Sequence, residues 1–110
     1  MPRNVIDAVQ GTLETLILKS LLMEERHGYG VARWIFSTSG EDLRIEEGTL
    51  YPALHRMEER GWIDAHWGIS ENNRRAKFYE LTRAGRKQLE AETEIWRKLT
   101  VAVGQVLDTA

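Results

Sequence analysis

Residues 47–85 read EGTLYPALHRMEERGWIDAHWGISENNRRAKFYELTRAG, and the fold turns on a change of period within them. Leu50, Leu54 and Met57 recur at i, i+4 and i+7, with Ala53 beside them. That spacing is one apolar face of a helix over about Glu47–Arg60. Gly61 is placed to end it as a left-handed cap. Pro52 is comfortable only in a first turn, so the regular helix can begin as late as Thr49, whose hydroxyl is a capping group. Beyond Gly61 the helical period stops. Trp62–Trp67 and Lys77–Leu81 are rich in aromatic and β-type residues, and the turn-forming stretch Gly68–Arg75 separates them. This pattern predicts a β-hairpin with a long tip.

Upstream, Leu13, Leu16, Ile17, Leu18, Leu21 and Leu22 form a broad apolar stripe and predict a helix over Thr12–Glu24, with Thr12 as its N-cap. Residues 2–10 either extend that helix or fray from it. Gly28 and Gly30 punctuate the next boundary, and Val31, Trp34 and Ile35 predict a second helix over Tyr29–Ser37. Ser37–Gly40 ends it, Gly40–Asp42 is a turn, and Leu43–Ile45 is a short extended piece. Downstream, Thr82 caps a helix running to about Leu107, near 37 Å long at ~1.5 Å per residue. That is too long to pack wholly on so small a core. Leu89, Trp96, Leu99, Val103 and Val106 trace a heptad seam along it, interrupted by Glu92. The projecting end needs a partner, most simply a second copy of the chain.

Three helices, a hairpin and a long helix make a mainly α fold with a small β element. The order is that of a winged helix-turn-helix followed by a C-terminal dimerisation helix, with residues 1–82 as the DNA-binding domain and 83–110 as the dimerisation helix of the same compact unit. In such domains the third helix enters the major groove and the hairpin tip touches the neighbouring backbone. The outer face of the third helix carries Thr49, Tyr51, His55 and Arg56, which suit phosphates or base edges. Tyr51 has a second reading, with its ring packed under the wing, and Thr49 is both cap and contact. The wing tip carries Arg74, Arg75 and Lys77. Net charge is only -2, yet Arg74–Lys87 holds six cations against Glu80, leaving the remainder at -7. Cations gathered in one segment make an anion-facing surface. Their bland reading is a solvated turn.

The 110 residues fit one domain with one modest core, 42% hydrophobic and 29% charged. No cysteine is present, which excludes disulfides, thiolate metal sites and cysteine nucleophiles. No stretch is long and apolar enough to span a membrane, and no apolar leader opens the chain, so the default location is the cytoplasm. His27, His55 and His66 fall on three different elements without metal-ligand spacing, and no catalytic motif is present, so the sequence predicts neither metal, cofactor nor enzyme activity. Gly28-Tyr29-Gly30 begins like a dinucleotide fingerprint, but Arg33 breaks it and no βαβ unit surrounds it.

Several motifs in order carry a resemblance. These are Gly11-Thr12-Leu13, His27-Gly28-Tyr29-Gly30, Glu47 to Leu54 (EGTLYPAL), Glu59 to Ile63 (ERGWI) and Arg74 to Gly85 (RRAKFYELTRAG). Together they resemble the PadR family of bacterial transcriptional regulators, in its compact subfamily with one dimerisation helix after the wing. The resemblance spans about residues 11–100. It implies a homodimer on double-stranded DNA at a near-palindromic operator, usually repressing, and in many members released by a phenolic or other aromatic small molecule. Tyr29, at the helix entry that Gly28 and Gly30 shape, is within reach of a phosphate, and Leu13 of the first helix joins the dimer; the resemblance places Trp96, whose other reading is plain core at a heptad position, near the dimer centre. There Trp96, with Thr15 and Leu18, would line a pocket for a flat effector. Glu46-Glu47 departs from this picture: two carboxylates suit a helix start but repel phosphates if they face DNA. They leave open a different reading, a winged-helix module that binds another protein instead of DNA.

Overall fold

A computed structural model describes residues 5–110, with side chains from Gly11 onward. The order is α1 (Val5–Ser20), β1 (Arg26–His27), α2 (Gly28–Thr38), α3 (Glu47–Glu59), β2 (Ile63–Ile69), β3 (Arg75–Leu81) and α4 (Arg83–Leu107). The strands form one antiparallel sheet in the order β1-β3-β2. This is a winged helix-turn-helix with a long helix after the wing.

α1 starts earlier and ends earlier than the apolar stripe predicts. Thr12 lies inside it and caps nothing, and residues 2–4 of the predicted extension lie outside the described residues. The early stop has a local cause. The Ser20 hydroxyl donates to the Ile17 carbonyl at 2.6 Å, and the Ser20 carbonyl accepts from Arg26 Nε at 2.7 Å. The chain is thus turned back toward β1. That two-residue strand pairs Arg26 with Tyr79 and His27 with Phe78, and it is too short to leave a period in the sequence. His27 then caps α2 by accepting the Gly30 N–H on its ring Nδ1 at 3.0 Å. Gly40, at φ +69°, closes α2 with the Glu41 N–H bonded to the Phe36 carbonyl. Residues 43–45 form no strand; the Ser39 hydroxyl oxygen accepts the Leu43 N–H and holds them as an irregular connection.

α3 begins at Glu47, so Thr49 is in its first turn and not its cap, and Pro52 sits in the second turn. The Thr49 and Leu50 N–H groups both bond the Glu46 carbonyl. Gly61 ends the helix as the sequence predicts, at φ +77°, with the Trp62 N–H reaching back to the Met57 carbonyl. The hairpin strands are longer than predicted. Their register runs from Ile63 opposite Leu81 to Ile69 opposite Arg75, which leaves a short tip closed by Ser70 and Arg74.

The core joins α1 (Leu13, Ile17, Leu18) to α2 (Val31, Ile35), α3 (Leu50, Ala53, Leu54, Met57), Ile63 and Tyr79 of the sheet, and Leu89 of α4. α4 is fixed at its start. Thr82 accepts the Gly85 N–H at 3.0 Å and donates its hydroxyl to the Gly61 carbonyl at 2.7 Å. A β-carbon on Gly85 would stand 2.1 Å from the Trp62 carbonyl oxygen, so only glycine permits this approach. Past Leu89 the helix projects, and the molecule measures 56 × 27 × 27 Å.

Candidate nucleic-acid interface

The start of α2, the outer face of α3 and the wing converge on a groove of about 610 Å³. Tyr29 and Tyr51 line it from the helices, and Arg74, Arg75 and Lys77 line it from the wing. Gly28 makes the helical side possible. A β-carbon there would lie 2.7 Å from the Tyr51 ring and hydroxyl, so glycine lets Tyr51 rest against the start of α2. Burial, and secondarily the Glu47 carboxylate, push the Tyr51 hydroxyl above its ordinary pKa. It is therefore a neutral hydrogen-bond donor at physiological pH, on a half-exposed side chain that rests against the start of α2. Tyr29 is exposed, stacked beside His27, and its hydroxyl accepts from Arg33 at 3.4 Å.

The wing cations differ in how free they are. Arg74 and Arg75 are exposed and, among the described residues, take part in no ion pair. Arg75 lies 4.5 Å over the Trp67 ring, which restrains the guanidinium without neutralising it. Lys77 is half-buried and bonds Glu58 of α3 at 3.2 Å, bracing the wing against the helix.

One residue of α3, Arg56, is not presented as helical phase predicts. Arg56 is half-buried, with its Nε 3.8 Å from Glu14 of α1 and without a hydrogen-bond partner. The same carboxylate accepts from Arg60 at 2.9 Å. A nearly buried Glu14 thus draws the basic end of α3 toward α1 and away from the outer face. His55 is exposed but held at 2.7 Å by Glu59, one turn along. Thr49 is half-buried, and Glu46 and Glu47 are both exposed at the start of the helix.

The predicted dimer and effector residues also separate. Leu13 and Leu89 are only 3% and 6% exposed, so they belong to the chain's own core and have almost no surface for a partner. Leu18 is fully buried and presents no surface to an effector within one protomer, whereas Thr15 is half-buried with its hydroxyl bonded to the Gly11 carbonyl. Trp96, Leu99, Val103 and Val106 are 49%, 51%, 45% and 74% exposed.

The sequence pattern of the Transcriptional regulator PadR-like family matches residues 17–91. The chain belongs to the PadR-like family of transcriptional regulators. A transcriptional regulator from Clostridium thermocellum is 29% identical, with 90% of this chain and 96% of that one covered at a TM-score of 0.81. A PadR-like regulator from Bacillus cereus is 27% identical over 94% and 99% of the two chains, at 0.79. A PadR family regulator from Eggerthella lenta is 30% identical over 96% and 90%, at 0.77. PadR regulators bind DNA and are not enzymes.

Among the described residues no cluster of three or more histidine, aspartate or glutamate side chains could hold a metal ion, and no helix is long and apolar enough to cross a membrane. Two contributors to the groove have no such role in the sequence reading. His27 matters as the cap of α2, which only the folded start of that helix reveals. Trp67 falls in a predicted strand, but its role as a platform for Arg75 depends on the register of Trp67 opposite Lys77.

Proposed function

We propose that the chain is a homodimeric repressor that grips a near-palindromic operator in the cytoplasm. Residues 1–82 read the DNA and residues 83–110 form the dimer. The observation that carries this reading is the 610 Å³ groove, which Tyr29 and Tyr51 line from the helices and Arg74 and Arg75, in no ion pair among the described residues, line from the wing. Phosphates recruit such groups, and α3 beside them is the element that enters the major groove in this fold. The exposed seam of Trp96, Leu99, Val103 and Val106 supports pairing through α4. Trp96, the first residue of that seam, is the stacking surface we assign to a flat aromatic effector, since its indole is half-exposed within one protomer.

Fluorescence anisotropy on the duplex upstream of the chain's own gene tests the DNA reading, against a scrambled duplex of equal composition at two salt concentrations. Tighter binding to the upstream duplex with a steep salt dependence is expected. Equal, weak binding to both would count against an operator at that position. An aromatic ligand should quench Trp96 fluorescence and weaken DNA binding together; quenching that persists in Trp96→Phe would put the effector elsewhere.

A further inference from the structure

We infer that DNA backbone contacts continue past Tyr29 to a second phosphate-binding patch, formed by Arg33 of α2 and Arg44 of the α2–α3 connection. The inference rests on the DNA-binding reading above and extends its surface. A hollow of about 410 Å³ adjoins the start of α3, and Arg33 and Arg44 both line it. Tyr29 lines this hollow and the wing groove alike, so the two form a continuous track. Arg33 follows Tyr29 by one helical turn and therefore shares its face of α2.

Each guanidinium is backed by a ring. Arg33 lies 5.8 Å from the centre of Tyr29, and Arg44 lies 5.2 Å from that of Phe36. The wing uses the same device for Arg75 on Trp67. A ring restrains the side chain and leaves its charge and outward N–H groups for a planar oxyanion such as a phosphodiester. Both arginines are exposed. Among the described residues neither meets a carboxylate, whereas Arg26, Arg56, Arg60 and Lys77 all do. The cations left unpaired around the groove are thus Arg33, Arg44, Arg74 and Arg75; a ring also backs the paired Arg26, Arg60 and Lys77, so it is the missing carboxylate that sets the first group apart. Two carboxylates oppose them: Glu41 lines the hollow, and Glu71 of the wing tip faces Arg33. Their presence leaves the patch a net attraction of its two guanidiniums only where phosphates come closer than these acids do. Arg44 stands three residues before α3, where the backbone flanking the entered groove comes within reach.

The test is a salt series of anisotropy titrations with a mixed-sequence duplex and with the upstream duplex. Losing two phosphate contacts in Arg33→Ala/Arg44→Ala should flatten the slope of log affinity against log salt by about 1.8, equally on both duplexes. Arg33→Lys/Arg44→Lys keeps both charges and should recover most of that slope. An unchanged slope in the alanine pair, while Arg74→Ala still lowers it, overturns the inference and leaves the DNA reading standing. Absence of salt-dependent binding by the unaltered protein overturns both. Circular dichroism checks that the variants are folded, as expected for exposed side chains, and Arg33→Gln/Arg44→Gln serves the same test if the alanine pair unfolds.

Discussion

From Thr82 to Leu89, α4 is locked to the body of the protein, whereas from Trp96 to Val106 the same helix shows its apolar seam to solvent. The locked half has a cap, a glycine against a carbonyl and a buried leucine. The projecting half has none of these. The contrast teaches that a continuous heptad does not imply a continuous role. Leu89 and Trp96 are one heptad apart on one seam, yet the first closes the protomer's core and the second is half-exposed.

Glycine substitutions should expose that contrast most strongly. At Gly85 the obstacle is the Trp62 backbone, which cannot swing away, so Gly85→Ala must move α4 and break the Thr82 link to Gly61. A loss of about 3 kcal/mol or more is expected in urea unfolding. At Gly104 a β-carbon meets nothing within 4 Å. Gly104→Ala should therefore stabilise the helix by roughly 0.5–1 kcal/mol. Equal effects at the two sites would erase the distinction between the halves.

A charge in the projecting seam should separate association from folding. Val103→Glu introduces a carboxylate into the seam of the proposed dimer. The dimer constant should weaken on the order of a hundredfold, read by sedimentation equilibrium. The unfolding free energy of the separated protomer should change by no more than about 0.5 kcal/mol, because this position is exposed. A variant that stays dimeric would show that copies pair through another face.

The sequence made this architecture legible because long-range order in it is periodic. Helical stripes, the capping Gly61 and Thr82, and the break to β-type residues all survive in a one-dimensional reading. What it missed depends on partners far along the chain. Arg56 lies on the side of α3 where phase alone places an exposed residue, but Glu14, forty-two positions earlier, turns it inward. β1 exists only because β3 offers it an edge, and His27 caps α2 although histidine is not a common capping type. The wing tip was legible since nothing distant claims Arg74 or Arg75.

The same idea distinguishes two arginines that resemble each other in sequence. Arg74→Ala should weaken binding to all duplexes and reduce the salt slope by about one. Arg56→Ala should leave that slope nearly unchanged, because its Nε already faces Glu14. Its effect on stability should stay below about 1 kcal/mol. Glu14 keeps Arg60 at 2.9 Å, the removed Nε had no hydrogen bond to lose, and the pair is partly screened by solvent. A slope that falls equally in both variants would mean that Arg56 leaves Glu14 to meet DNA.

The smallest effect should come from the far edge of the wing, where His66 of β2 bonds Glu25 just before β1. That hydrogen bond outweighs the opposing desolvation and, with the Glu25 charge, a backbone contact at Trp67 and the Glu80 charge assisting, raises the His66 pKa above 6.5. The folded protein therefore holds this proton more tightly than the unfolded chain. The stabilisation is complete below about pH 6.5 and fades as pH climbs through the raised value. Both side chains are largely in water, so screening keeps the change slight. Thermal unfolding across pH 5.5–8.5 should show a small decline for the unaltered protein that His66→Gln removes. High salt should remove it as well, since an exposed pair is screened while the buried anchor at Gly85 is not. A decline that survives both treatments would belong to another titrating group and would leave the two edges of the wing energetically alike.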